Sequence, residues 1–338
     1  MPRLLLILTL LIAPFTQSLA ADNGLSGTLL VVNRNGGSVS LIDLATQTEV
    51  SRLNIDGPIP HELTASPNGR WAVTSEYGTG NNPGQRLVVI DVANAEIVRH
   101  IDLGANSRPH SIVFMNDNRH VVTTMELREE IALVDIIDGE IVRTFPTGGE
   151  DSHMVRLSPD NDHAFVAARG SGTLSKIALD GSEPTTVIPT GARAEGIAVS
   201  PDGDKVWVAN QNDSTITIVD ADSMEVLGAI GNIATNRAEF LPNGLAVLPG
   251  GSGENASARY VTYFDGNTFA RAGQLELPGS DAFGTGVRLL AANNALYLAD
   301  SALNEISIVV PAFVGTRAVI ANNPDNVDGM AWSPLRVD

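Results

Sequence analysis

The amino-acid sequence predicts an all-β fold, a seven-bladed β-propeller with four strands per blade. Three observations carry this: one unit recurs along the chain, each clear copy opens on a strand, a tight turn and a second strand, and the chain begins and ends inside a unit. The clearest copies are His61 to Val73 and Glu195 to Val208, built around Ser66-Pro67-Asn68-Gly69 and Ser200-Pro201-Asp202-Gly203. Proline presets φ for such a turn and glycine accepts the positive φ that closes it. Two alternating β-branched segments follow, as in Ser214 to Asp220 and Glu225 to Ile230, which completes four antiparallel strands.

The turn position recurs at Pro67, Asn116, Pro159, Pro201, Pro242, about Ala292 and Pro334, with spacings of 49, 43, 42, 41, 50 and 42 residues. The chain starts out of phase. Leu29 to Asn33, Ser38 to Asp43 and Val50 to Asn54 read as the last three strands of a unit, and Gly329 to Pro334 supplies the missing first strand at the other end. Pairing the two ends closes the ring and leaves no open sheet edge at the seam. No helix of consequence and no second domain are expected. The long spacings come from insertions at Tyr77 to Gln85 and Pro249 to Ala258, which read as rim loops, since neither precedes the helical pattern a phosphate-binding loop requires. Acidic stretches at Asp160 to Asp162 and Asp202 to Asp204 fall in hairpin turns and lack the spacing and closing glutamate of a calcium loop.

Arg3, the apolar run Leu4 to Ile12 and the small residues Ser18 and Ala20 form an export signal with cleavage after Ala20, leaving residues 21–338 as one mature propeller domain. The apolar run is too short to span a bilayer at about 20 residues per crossing. The mature chain is expected in the periplasm or the medium, without membrane insertion. With no cysteine, the chain cannot be a cysteine-anchored lipoprotein, carry covalent haem or use thiolate ligands. Without Arg3 the 21 Lys and Arg become 20, so against 39 Asp and Glu the formal charge is −19. That argues against nucleic acid and anionic membranes as partners.

The Ser200 to Gly203 turn, the Val206-Trp207-Val208-Ala209-Asn210 strand and the Ile218-Val219-Asp220 strand resemble the YVTN-family β-propeller repeats of exported bacterial and archaeal proteins. The resemblance covers residues 27 to 338, is strongest between 57 and 230, and weakens in the sixth and seventh blades, from about Asn236 and Gly286. It implies the propeller and export. Related seven-bladed propellers serve as lactonases, dehydrogenase subunits and binding scaffolds, so it assigns no single activity. No tryptophan-aspartate signature is present, so the protein-interaction role of WD40 propellers is not implied.

In a propeller the innermost strand of each blade lines the central channel. Six residues before the turn position lies one residue per blade at the channel mouth: His61, His110, His153, Glu195, Asn236, about Gly286, and Asp328. Three of the six histidines occupy this slot in consecutive blades. Neutral imidazoles and a carboxylate converging on one axis form a ligand set for zinc, copper or iron, which makes His61, His110, His153 and Glu195 candidate metal ligands. The competing explanation is that duplication copied a solvent-facing polar position. Glu62, Arg108, Arg193, Asn236 and Asp328 are candidate ligand-binding groups, because an arginine beside such a cluster orients an anion or stabilises an oxyanion. Glu76 and Glu126, at the ends of second strands, lie near enough to join them. His100, His120 and His163 lie elsewhere in the repeat.

The leading expectation is a monomeric exported propeller that binds a small molecule or metal ion at the channel mouth. A lactonase-like hydrolase or metal-dependent oxidoreductase using the same cluster is the alternative, and a scaffold holding a protein partner by its rim loops is the third. No nucleophile elbow or zinc-protease helix motif is present.

Overall fold

The computed structural model describes residues 24–337 except 234, 251–259, 278–286, 302, 310–316 and 322–325. The expected export signal, nearly all of the second insertion and the slot near Gly286 therefore lie outside the described residues.

Seven four-stranded antiparallel sheets make seven blades. Blade 1 joins β28 (Val327–Ser333) to β1 (Thr28–Asn33), β2 (Ser38–Asp43) and β3 (Thr48–Asn54). Blade 2 holds β4 (Pro60–Ala65), β5 (Trp71–Glu76), β6 (Arg86–Asp91) and β7 (Glu96–Asp102). Blade 3 holds β8 (Pro109–Phe114), β9 (His120–Met125), β10 (Glu130–Asp135) and β11 (Glu140–Pro146). Blade 4 holds β12 (Ser152–Leu157), β13 (His163–Ala168), β14 (Thr173–Ala178) and β15 (Thr186–Pro189). Blade 5 holds β16 (Ala194–Val199), β17 (Lys205–Asn210), β18 (Thr215–Asp220) and β19 (Val226–Gly231). Blade 6 holds β20 (Glu239–Phe240), β21 (Leu245–Pro249), β22 (Tyr260–Asp265) and β23 (Arg271–Glu276). Blade 7 holds β24 (Val287–Ala292), β25 (Ala295–Asp300), β26 (Glu305–Val309) and β27 (Arg317–Ala321). Among the described residues the one helical segment is a 3-10 turn at Glu126–Arg128.

The expected seam is present. Leu29 pairs with Trp332, Leu30 with Ala331 and Val31 with Met330, so the C-terminal strand is the inner strand of the N-terminal blade. The strands begin one or two residues earlier than the sequence suggested, at Thr28, Thr48 and Val327. The weak sixth repeat is visible too: its inner strand is reduced to Glu239–Phe240.

The second and third strands of a blade are buried on both faces because another blade packs on each side. Leu29 and Val31 face blade 7, against Tyr297, Ile306 and Ile308, while Leu30 and Val32 face blade 2, against Ala72 and Val88. One apolar cluster fills each of the seven blade junctions. This is why these strands read as unbroken apolar runs instead of alternating ones. The outermost strands alternate toward water, leaving Val50, Val98, Val142 and Val226 exposed. The turns form as their residues require. Gly69 and Gly203 adopt φ of 76° and 81°, and their amides donate to the Ser66 and Ser200 carbonyls at 2.8 and 2.9 Å.

Candidate active site at the channel mouth

Blades 1 to 5 each send side chains toward the mouth from two equivalent positions. The first is the predicted slot on the inner strand. In blades 1 to 5 the pairing between inner and second strand shifts register at the slot, around Asp328, His61, His110, His153 and Glu195. A bulge leaves an extra residue unpaired and re-aims its side chain, here into the channel. The second position is the residue just after the second strand: Arg34, Tyr77, Glu126, Arg169, Gln211 and Ser301. The amides of the first five donate to the carbonyl two residues before the slot, at Asn326, Ile59, Arg108, Asp151 and Arg193, over 2.9 to 3.4 Å. Four of these acceptors, Asn326, Arg108, Asp151 and Arg193, have φ between 46° and 65°, a left-handed conformation that non-glycine residues seldom adopt. One repeated backbone device thus presents both side chains.

These side chains surround a cavity of about 280 Å³ lined by His61, His110, His153, Glu195 and Asp328 together with Tyr77, Gln211 and Ser301. Five arginines complete it: Arg34, Arg169, Arg193, Arg237 and Arg288. The three predicted histidines do converge. The His61 and His110 ring centroids are 4.6 Å apart and those of His110 and His153 are 3.8 Å apart. Tyr77 packs against His61 at 4.9 Å and His110 at 5.1 Å.

Each Nδ1 is committed. That of His61 lies 2.5 Å from Asp328 Oδ2, that of His110 lies 3.0 Å from the His153 carbonyl, and that of His153 lies 2.5 Å from Glu126 Oε1. For His61 and His110 a proton on Nδ1 leaves the lone pair on Nε2. His153 Nε2 faces Glu195 Oε1 at 3.2 Å. Burial pushes the His61 imidazole down against the opposing pull of Asp328. It pushes His110 well down, helped by His153 and His61 beside it. Both rings are therefore neutral at pH 7. Burial alone would raise Asp328 and Glu195, but Arg288 and His61 hold Asp328 at about 2, and His153 and Arg237 hold Glu195 at about 2. Arg237, desolvated and beside Arg288, falls to about 10.

Arg193 lies on the rim, with Nε 3.1 Å from Glu195 Oε2. Three predicted residues sit off the cavity wall. Glu62 follows the bulge of blade 2 and points to the other side of Arg237, whose Nη2 donates to Glu62 Oε1 at 2.9 Å. Arg108 lies behind the wall, its guanidinium 4.3 Å from the Tyr77 ring centre. Asn236 accepts from Arg237 through its backbone carbonyl. Glu126, fully buried, takes the Tyr77 hydroxyl at 2.9 Å on one oxygen and His153 on the other, tying blades 2 and 4 together through blade 3. Glu76 is also buried but turns outward, to Arg86 at 2.8 Å. His100, His120 and His163 are all away from the cavity.

Sequence reasoning passed over Arg34, Tyr77, Arg169, Arg237 and Arg288. The first three were readable, because they share one repeat position, immediately after the second strand; Arg237 follows the slot residue Asn236. Arg288 follows Val287, which pairs with Asp300 at the end of β25, so it holds the slot of blade 7, two residues beyond the approximate position read from the weak repeat.

The fold is shared with solved structures. A functionally unknown protein from Desulfotomaculum acetoxidans superposes with a TM-score of 0.73 at 16% identity, covering 93% of this chain and 100% of that one. Hydrazine synthase of Kuenenia stuttgartiensis superposes at 0.62, also at 16% identity, over 77% and 78%. Uncharacterized proteins from two Staphylococcus epidermidis strains are 25% identical over 131 residues, and that match spans only 35% of their length. A family profile described as a seven-bladed β-propeller lactonase matches residues 18–238, more than half of the chain. Seven closed four-stranded blades and this match together place the chain in the lactonase family of seven-bladed β-propellers.

Proposed function

We propose that the channel mouth binds a small anionic lactone and hydrolyses it, with His61 as general base. The observation that carries this is the composition of the cavity: five arginines against two carboxylates on its wall, around three imidazoles, in a protein with a net charge of −18. Behind the wall Glu62, Asp151 and Glu126 pair with Arg237, Arg169 and Arg108, which leaves six arginines against five carboxylates, so a monoanion improves the local balance and a further cation worsens it. Asp328 holds the Nδ1 proton of His61, as an orienting carboxylate does for a catalytic histidine. Nε2 then takes a proton from water as the water oxygen adds to the lactone carbonyl carbon. The ring C–O bond breaks, and the departing oxygen receives that proton from the imidazolium, leaving a hydroxy acid. Arginines on the wall stabilise the oxyanion and the carboxylate product. The YVTN-type repeat, export past residue 20 and a monomeric state belong to the same reading.

Purified chain assayed on anionic and neutral lactones tests this. His61→Ala and Asp328→Asn should each lower kcat/KM for the anionic substrate by about 10²-fold or more, within the range for general-base catalysis, with His100→Ala unchanged. Absence of turnover on every lactone, or equal turnover in all variants, would overturn it.

A second reading is a transition-metal site. Donor atoms of His110, Glu126 and His153 lie within 4.8 Å of one another, as do those of His61, Glu62 and His110, and the carboxylate-held Nδ1 atoms match the pattern that orients metal-binding histidines. Titration with zinc and copper decides it: one ion per chain, weakened at least tenfold by alanine at His61, His110 or His153 but not at His100, supports a metal centre. Equal, weak binding in all variants excludes it.

A further inference from the structure

Below the mouth, Glu62, Arg237 and Arg288 form a charged layer across the channel, and beyond it lies a second cavity of about 250 Å³. Arg237 and Arg288 line both chambers. The inner chamber is otherwise of different character. Leu63, Ile112, Met154, Leu289, Met330 and Trp332 give it apolar walls, and Arg156 and Glu239, 3.8 Å apart, mark its polar side.

The two arginines of the layer differ in what they have left to offer. Arg237 donates from Nη1 to the Asn236 carbonyl and from Nη2 to Glu62. Arg288 is only 8% exposed, and its Nε lies 2.6 Å from Asp328 Oδ1, but neither terminal nitrogen hydrogen-bonds a described residue. Nε also lies 3.6 Å from Glu62 Oε1, so two carboxylates share the charge, but terminal donors that open on a cavity without a protein acceptor are still a seat for an anion. On the inner side, Leu289, Met330 and Trp332 share the chamber wall with Arg288, alongside the polar Thr64 and Ser111.

We infer that the inner chamber is a second ligand site, separate from the mouth, that takes a small carboxylate with an apolar body. The carboxylate accepts from the terminal nitrogens of Arg288, and the body packs on Ile112, Met154, Leu289 and Trp332. Its volume limits the body to a short aliphatic chain or one aromatic ring. This inference is independent of lactone hydrolysis, since a ligand of this class need not react.

Trp332 provides the readout. A brominated hexanoate should quench its fluorescence saturably, and Trp332→Phe should remove the quenching while calorimetry still records binding. Ala292→Phe, which fills the chamber from its half-buried edge, and Arg288→Gln should each weaken binding at least tenfold. Gluconate and hexanol should not compete, the first lacking the apolar body and the second the charge. Quenching that survives in Trp332→Phe, equal affinity in wild type and Ala292→Phe, or competition by hexanol at equal concentration would overturn the proposal. Should Arg288→Gln not fold, Ala292→Phe and the competitors still decide it. Lactone turnover measured on the same variants separates failure here from failure at the mouth.

Discussion

Glu126 and Asp328 do the same work for different histidines: each buried carboxylate accepts a hydrogen bond from Nδ1 and so turns Nε2 inward, that of His61 to the cavity and that of His153 to Glu195. Glu126 also accepts from Tyr77, which uses both its oxygens. In Glu126→Gln the amide nitrogen must face one of two donors, leaving a buried donor unmet at about 1–3 kcal/mol. We expect a melting temperature lower by several degrees and at least tenfold weaker ligand binding at the mouth, with the fold intact by circular dichroism. Asp328 adds a pH signature. Its carboxyl is held at about 2, below the ordinary 3.8, so the ionised form is favoured in the folded state. That contribution, about 2 kcal/mol, is fully present above pH 4 and is lost as pH falls toward 2. Asp328→Asn should flatten the stability profile across that window in urea titrations; an unchanged slope would mean the ion pairs with Arg288 and His61 contribute nothing.

At the level of elements, the insertion between β5 and β6 is half wall and half loop. Thr79 to Asn82 form a self-contained turn, with reciprocal amide-to-carbonyl bonds between Thr79 and Asn82. Its base is built in: Tyr77 packs on two histidines, and Gly84 accepts from the Arg108 amide while donating to Tyr77. A Cβ on Gly84 would lie 1.6 Å from the Glu76 carbonyl. Reading the whole insertion as a rim loop therefore holds only for its tip. Replacing residues 79–82 with a shorter turn should leave the melting temperature within about two degrees, whereas Gly84→Ala should cost several kcal/mol or abolish soluble expression. Equal stability of the two variants would show that the base is as dispensable as the tip.

For the whole molecule, the seam is the element whose loss cannot be local. Beyond the β28 ladder, Trp332 donates to the Ser26 carbonyl, Thr28 to the Leu335 carbonyl and Arg336 to Asp43, so the C-terminus is fastened on both sides of the strand. Gly329 packs against blade 2, where a Cβ would stand 2.5 Å from the His61 carbonyl. Deleting residues 328–338 exposes the edge of β1, removes Met330 and Ala331 from the apolar clusters on its two sides and takes Asp328 from the site. The expected cost is several kcal/mol, a large fraction of a typical domain's stability, measured by thermal unfolding. A melting temperature within two degrees of full length would show that the ring does not need its closing strand.

The blade count, the seam and the convergence of His61, His110 and His153 were legible in the chain because each is a repeat property. A fixed turn signature sets the period, and equal period puts equal slots around one axis. The positions after the second strand were legible in the same way, although Tyr77 and Arg169 do not announce themselves by residue type. Tertiary structure decided the rest. The bulge at the slot determines that Glu62, one residue from His61, faces a different chamber. Arg288 holds the slot of blade 7, two residues beyond where the weak repeat placed it, and only the strand register shows this. The charge balance of the mouth belongs to no segment: it arises only when five arginines from blades 1, 4, 5, 6 and 7 are brought around one cavity, against a net charge of −18 that pointed the other way. Local sequence encodes strand and turn because those depend on neighbours along the chain, whereas the sign of a site depends on distances between side chains that only ring closure sets.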